Sequence, residues 1–490
     1  MRPLLFHRSV KILPFFLALS LLPACKWGKE KDPRKSVVKV FTTLQSVDFS
    51  EPWKPGSEAH LQGCGCVVSG GRVLTTAHLI NKGNYIEVQK FGETKRYVAK
   101  VQEVGYDQDL ALLGVEDKDF LKDTEPVEFG DLPHAGDKVK IVGGDELSIK
   151  EDTIAGLDMV WTWEGATFVP ALVTNGDIDN KNDGCPVFKD GKFVGLPFES
   201  WHKTEKTGSL IPVKMVQRFY RAIDGGRPYG GMPDLGVYAQ ELENPALRAY
   251  FGLTGDQTGI GVTRVLEQGA SVGALKEGDV LTAIDGHAID NDGYITLGKK
   301  SERIQADYLI AFYLPGEQVN LDLIRAGHPM KVKISLLPLP TLVPYRADNR
   351  NPTYFMIAGY VFVPLTYNYL QAMDWKSLKP SLKDLYSHGV ITAERKQVVL
   401  LSHVLPNDIN TGFDKQGNLV IDKVNGRPIR EMKDLIAAFA APQGDYHVIE
   451  MDEHSWFGSR IVIDAKRAKQ ATDEVMAAFK IPADRSQDLK

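Results

Sequence analysis

The chain is short of cysteine, of positive charge and of long apolar runs, and each shortage closes off a class of function. Four cysteines occur in 490 residues. Neither their spacing nor any His-Glu-x-x-His run supports a catalytic metal, so no metal and no cofactor is expected. Acidic residues outnumber basic ones, 63 to 58, for a formal charge of -5, which argues against a nucleic-acid partner. The apolar run at 12–22 is too short to cross a bilayer, so it reads as a secretion signal rather than a span.

What surrounds that run is informative. Arg2, Arg8 and Lys11 precede or enter it, and removing them with the leader lowers the charge by three, to -8. The run ends in Leu22-Pro23-Ala24-Cys25, which resembles the bacterial lipobox. The expectation is a lipoprotein signal at 1–24, acylation of Cys25 and a polar tether over 25–36. Lys26 follows the cysteine, and by resemblance to lipoprotein sorting this points to the outer membrane, facing the periplasm. Cys64, Cys66 and Cys185 then remain in an oxidising setting, an odd number that leaves at least one thiol free or paired elsewhere.

A chain of this length exceeds one core and implies two to four domains. Over 37–225 it shows short apolar runs of strand length broken by Gly, Asp and Asn, such as Cys66-Val67-Val68 and Val139-Lys140-Ile141-Val142. That spacing implies an all-β barrel or sandwich. A helical pattern at 213–223 runs into Asp224-Gly225-Gly226-Arg227-Pro228, where a boundary is expected. A mixed α+β unit follows at 235–340, with a strand at 259–265 and a short helix expected near 271–275. Residues 345–465 echo it: Leu419-Val420-Ile421-Asp422-Lys423-Val424-Asn425-Gly426 parallels Val280-Leu281-Thr282-Ala283-Ile284-Asp285-Gly286, and a helix is expected over 432–439. Residues 466–490 read as a charged tail, helical or solvated. The aromatic run 354–369 is either core or a partner surface.

Three segments carry chemistry. Thr75-Thr76-Ala77-His78 ends an apolar strand, Asp107-Gln108-Asp109-Leu110-Ala111-Leu112-Leu113 places an aspartate before another, and Lys181-Asn182-Asp183-Gly184-Cys185-Pro186 forms a tight turn. In this order they resemble the HtrA/Deg family of trypsin-fold serine proteases, whose landmarks are Thr-x-Ala-His, Asp-Leu-Ala-Leu-Leu and Gly-Asn-Ser-Gly-Gly-Pro. The resemblance implies a mainly β chain, a trypsin-like double β-barrel followed by two PDZ-like α+β domains. It also implies His78 as base, Asp109 as its orienter and a nucleophile at position 183, with Asp107 a turn residue. The serine is replaced by Asp183, which has no hydroxyl proton to surrender. Lys181 replaces a glycine of the oxyanion region, which includes Asn182. Cys185 as a replacement nucleophile, and Asp183 acting on a non-peptide substrate, are the remaining routes to hydrolysis.

The same resemblance implies a Cys64–Cys185 disulfide, with Cys66–Cys185 as the other pairing and three buried thiols as the third possibility. It assigns capture of a peptide carboxylate to Gly259, Ile260, Gly261 and Val262. Further segments, including Glu243-Asn244-Pro245-Ala246-Leu247-Arg248 and 352–365, look like the plant Deg proteases with two PDZ domains. The implied partners are peptides or unfolded clients, further copies of the chain as a trimer or a multiple of one, and a membrane reached through Cys25. The functions to be separated are an inactive binder, an active endopeptidase with an unusual nucleophile, and a purely structural oligomer.

Overall fold

The first strand, Val37–Val47, buries Val38, Val40 and Thr42 on one face, a period of two that fits a half-buried sheet. It opens a closed six-stranded barrel completed by Pro55–Val68, Arg72–Thr75, Gly83–Lys90, Arg96–Gly105 and Leu110–Val115. The computed structural model describes residues 32–201, 207–298, 302–339, 341–345, 351–452 and 460–490. The leader 1–24 and Cys25 lie outside these residues. Of the expected tether, Pro33–Ser36 is a 3-10 turn whose Ser36 is buried, so the folded chain begins earlier than its composition implied.

A second barrel is built from Lys138–Gly143, Ser148–Thr162, Thr167–Thr174, Val187–Lys189, Lys192–Pro197 and Ser209–Pro212, and pairing of Ser148–Thr162 with Thr167–Thr174 closes it. Each barrel has its own apolar filling. A third cluster, containing Leu74, Leu110, Cys64, Cys185 and Phe219, lies where the barrels meet. The amphipathic helix Val213–Ile223 seals that junction with Val216 and Phe219, and it stops where Gly225 and Gly226 take positive φ.

The next sheet runs in the order Val237–Gln240, Ile260–Val265, Val280–Ile284, Gln318–Arg325, His328–Ser335. The helix expected near 271–275 is only a turn. Leu275 N donates to Ser271 O over 3.0 Å, but Gly273 at φ +80° prevents propagation. The last sheet orders Phe355–Ile357, Tyr360–Pro364, Val399–Val404, Leu419–Val424, Tyr446–Met451 and Arg460–Asp464, flanked by the helix Met432–Phe439.

Two open readings of this C-terminal part are resolved. The aromatic run is core, since Tyr354, Phe355, Tyr360, Phe362, Tyr367 and Tyr369 are all buried. Of the two alternatives for 466–490 the helix holds, and it is packed rather than a free tail. Helix Ala465–Phe479 packs Ala468, Ala471 and Val475 inward, and Met356 N donates to Asp484 O while Ser486 N donates to Tyr354 O. Alanine spaced at i and i+3 makes a narrow apolar stripe that a charge-based reading overlooks.

Candidate functional site

His78 sits in the short helix Ala77–Ile80 directly after strand Arg72–Thr75. Its position is fixed from the neighbouring strand. Asp109 closes the 3-10 turn Tyr106–Gln108 in the left-handed region at φ 54°, a conformation aspartate tolerates better than bulkier residues. From there one carboxylate holds the helix twice: Asp109 Oδ1 accepts from His78 N at 2.8 Å, and Oδ2 lies 2.7 Å from His78 Nδ1. On the other side of the ring, Nε2 lies 3.2 Å from Asp183 Oδ2. The structure therefore brings His78, Asp109 and Asp183 into one line.

The turn carrying Asp183 is a 3-10 element, Asn180–Asn182, capped by Asp179. Asp179 Oδ1 accepts from Lys181 N at 3.0 Å, Asp179 O from Asn182 N at 2.8 Å, and Asn180 O from Asp183 N at 3.0 Å. An oxyanion hole needs amides aimed at the reacting oxygen, whereas these are spent inside the turn. The Lys181 side chain points to solvent and pairs with Asp145 at 2.9 Å. Asn182 Nδ2 donates to Asp179 O. Gly184, at φ +72°, must be glycine, because a Cβ there would lie 2.4 Å from Cys64 O and 2.7 Å from Thr75 Oγ1.

Cys64 and Cys185 form a disulfide with Cα atoms 4.5 Å apart, joining strand Pro55–Val68 to the turn holding Asp183. Cys185 is thereby removed as a nucleophile. Cys66 is free and buried, and burial pushes its thiol far above the usual range, so it is inert as well.

Electrostatics follow from the geometry. Burial pulls the His78 imidazole down, but the charge and hydrogen bond of Asp109, then the contact with Asp183, hold it well above its ordinary value. Burial pushes the Asp183 carboxyl up, although His78 pulls it down. These shifts oppose one another on the His78–Asp183 pair, and the imidazolium prevails because Asp109 bears on the ring from its other side. A charged imidazole between two carboxylates has no vacant nitrogen with which to accept a proton.

Two neighbours add to the site, Glu164, which has no signal in the sequence, and Asp107, which was expected only as a turn residue. Glu164, in the hairpin after Ser148–Thr162, accepts from Asn81 Nδ2 at 2.7 Å and from the Tyr345 hydroxyl. Burial and then the charge of Asp109 push its carboxyl up to about 7. Asp107 lies in the expected turn but is also an anchor: its Oδ2 accepts from Met232 N at 2.6 Å, tying the His78 side of the site to the segment leading into the next domain.

The expected peptide-capture residues are displaced by the sheet order. Strand Ile260–Val265 is interior. Ile260 and Gly261 pair with Leu281 and Val280 on one side, while Gly261 and Val262 pair with Gln240 and Ala239 on the other. Gly259 N donates to Asn291 Oδ1 at 3.3 Å, and a Cβ on Gly261 would run into the Phe251 ring. An interior strand has no edge to offer a peptide, so Gly259, Ile260, Gly261 and Val262 are sheet core rather than a ligand site. The edges of this sheet are Val237–Gln240 and His328–Ser335.

Among the described residues no group of His, Cys, Asp and Glu is arranged to hold a metal ion, and no helix is long and apolar enough to cross a membrane.

Comparison with known proteins agrees with this architecture. The profile described as "Trypsin-like peptidase domain" matches residues 63–196, and that described as "PDZ domain" matches residues 343–488. "Protease Do-like 2, chloroplastic" of Arabidopsis thaliana is 33% identical over 463 residues, 93% of this chain and 75% of that protein. The chain belongs to the HtrA/Deg family. "Putative protease Do-like 3, mitochondrial" of the same plant is 31% identical over 93% of this chain and 80% of that one. Among solved structures, "HtrA-type protease AlgW with decapeptide" matches at 20% identity and TM-score 0.45, over 62% of this chain and 95% of that chain. This HtrA/Deg member thus keeps the family's double barrel while carrying a carboxylate where the resemblance places the serine.

Proposed function

We propose that the chain is an exported, lipid-anchored HtrA/Deg protein that has lost peptidase activity and works by holding peptides or unfolded envelope proteins, as a chaperone, adaptor or scaffold. One observation carries the reading. Asp183 faces His78 Nε2 at 3.2 Å with no hydroxyl to ionise, in a turn whose amides at 181 and 183 are already hydrogen-bonded. Nucleophile and oxyanion hole are altered together, and triad losses alone typically lower turnover by about a millionfold. The Leu22-Pro23-Ala24-Cys25 motif and Lys26 support an anchor at Cys25 in the outer membrane, facing the periplasm. Membership of the family supports self-association as a trimer or a multiple of one.

The test is cleavage of unfolded casein by the mature protein beside His78→Ala and Asp183→Ser. The parent is expected to match His78→Ala at background. Cleavage by the parent that disappears in His78→Ala overturns the reading. Labelling of the wild type but not of Cys25→Ala with a fatty acid in bacterial cells tests the anchor.

A further inference from the structure

Tyr345 stands just ahead of the last sheet, and its neighbours Leu342 and Val343 are buried in the core of that C-terminal unit. Its own ring leaves that core and lies 5.5 Å from the ring of Tyr106, in the turn that ends at Asp109. The Tyr345 hydroxyl donates to Glu164 Oε1, at the tip of the hairpin between Ser148–Thr162 and Thr167–Thr174, and accepts from Asn81 Nδ2 at 2.5 Å. Asn81 closes the helix Ala77–Ile80 that carries His78, and its Nδ2 also donates to Glu164 Oε1 at 2.7 Å. Three polar side chains from three separate parts of the chain form one triangle. One corner of it is the end of the His78 helix.

The hairpin tip is held against both neighbours. A Cβ on Gly165 would lie 2.5 Å from Asp107 Cα, so the tip is pressed onto the Asp109 turn, and Gln371 Nε2 of the C-terminal unit donates to Trp163 O at 3.4 Å. Burial and then the charge of Glu164 raise the Tyr345 phenol, which keeps its proton and remains the donor. Glu164 is placed differently. The titratable groups that face it are Tyr345 and Tyr367 from the C-terminal unit, Asp109 and His78 from the site, and Lys82 from the residues after the helix. Burial first, and then the charge of Asp109, push its carboxyl from the ordinary 4.5 up to about 7, against the smaller pulls of Tyr345, His78 and Lys82. Opening the contact would let water reach the tip and remove the largest of these effects. The closed state therefore holds the proton more tightly than the open one. Closure is favoured in full below about pH 4.5, and the preference is lost as pH rises through about 7.

We propose that Tyr345, Glu164 and Asn81 form a pH-operated latch, which presses the C-terminal unit onto the His78 helix while Glu164 carries a proton and opens when Glu164 is ionised. The loop bearing Phe49 and Trp53 stays inserted in the C-terminal core, so opening is a swing about that loop rather than a departure. The latch sets how firmly the end of the His78 helix is held, and it stands whether or not the site hydrolyses peptides.

Hydrogen exchange of the full mature chain tests it, read over 77–83 and 163–167 at about pH 6 and about pH 8 and corrected for the intrinsic pH dependence of exchange. The wild type is expected to lose roughly tenfold in protection at these segments between the two values, while strand Leu110–Val115 keeps its own. Glu164→Gln, whose amide oxygen still accepts from Tyr345 and Asn81 but cannot ionise, should stay as protected at the higher value as the wild type is at the lower, within about twofold. A pH dependence that came from His78 instead would survive in this variant. Tyr345→Phe, which keeps the ring and removes the donor, should be open at both values.

Equal protection of the wild type at the two values, a Glu164→Gln variant with the parent's pH dependence, or a Tyr345→Phe variant as closed as the wild type at the lower value overturns the proposal. Should Tyr345→Phe lose protection at Leu110–Val115 as well, its fold is compromised and the Glu164→Gln profile alone decides.

Discussion

At residue scale, the decisive contact is His78 between Asp109 and Asp183. Its consequence for pH has a definite sign. The folded imidazole is held well above its ordinary value, so it stays protonated in the native state at pH values where the unfolded chain has released its proton. The stabilisation is complete below about pH 6.5 and is lost as pH rises through the folded value. Asp183→Asn removes one of the two charges and should shift the His78 transition downward, flattening the decline of stability on the alkaline side. Carbon chemical shifts of the His78 ring, together with urea unfolding across neutral to alkaline pH, check both. A ring that titrates identically in parent and variant would show that Asp183 does not bear on it. The identity of these three residues was legible in the sequence, because one follows an apolar strand, one precedes an apolar strand and one sits in a tight Gly-Cys-Pro turn, in a fixed order. The engagement of the amides at 181 and 183 was not, since it depends on Asp179 capping the turn. Glu164 was equally hidden, because its partners Asn81 and Tyr345 come from distant parts of the chain.

At the scale of elements, the same contrast recurs between local and long-range information. Helices Val213–Ile223 and Met432–Phe439 follow from local apolar periodicity ended by Gly or Ala and a turn. Strand neighbours do not follow from local pattern. Thr258-Gly259-Ile260-Gly261-Val262 reads like a ligand loop opening an edge strand, but the fold inserts Val237–Gln240 outside it and turns it into sheet core. The disulfide is the strongest long-range tie between elements, closing a loop with a sequence separation of 121 between strand Pro55–Val68 and the Asp183 turn. Chain-entropy arguments assign such a loop roughly 4–5 kcal/mol. Cys185→Ala should therefore lower unfolding stability by about that amount and loosen the turn before the barrels. Denaturant unfolding measures the first and amide exchange at 180–186 the second. A variant with unchanged stability would mean that the unfolded chain already keeps these two elements together.

At the scale of the whole molecule, the two sheet units after residue 235 are not simply strung behind the barrels, as separate domains in one chain often are. Trp53, from the loop between the first two strands, is buried in the C-terminal core against Tyr354, and Phe49 packs edge-on against Tyr369. The sheet unit beginning at Val237 is tied by Arg218, a guanidinium that is almost wholly buried in the sealing helix. It donates to Gln108 Oε1 beside the Asp109 turn, to the Tyr229 hydroxyl, to Gly231 O at 2.7 Å and to Tyr313 O at 2.8 Å. One side chain thus joins the barrel junction, the turn that aims His78, the connecting segment and the sheet unit that follows it. Asp107 reinforces it from the same turn through Met232 N. Arg218→Met keeps the length and apolar stem but leaves the carbonyls of Gly231 and Tyr313 without a donor, at a cost of roughly 1.5–3 kcal/mol. Because neither barrel core contains these carbonyls, the cost should appear as undocking rather than unfolding. Hydrogen exchange should quicken at 229–236 and 311–314 while strands Val139 and Leu112 belong to stay protected, and the scattering radius should grow. Equal quickening throughout both barrels would show that Arg218 supports the core itself, and no change at 229–236 would show that the other ties, Asp107 to Met232, Arg221 to Glu317 and the apolar packing of Leu157 and Met159, hold this unit without it.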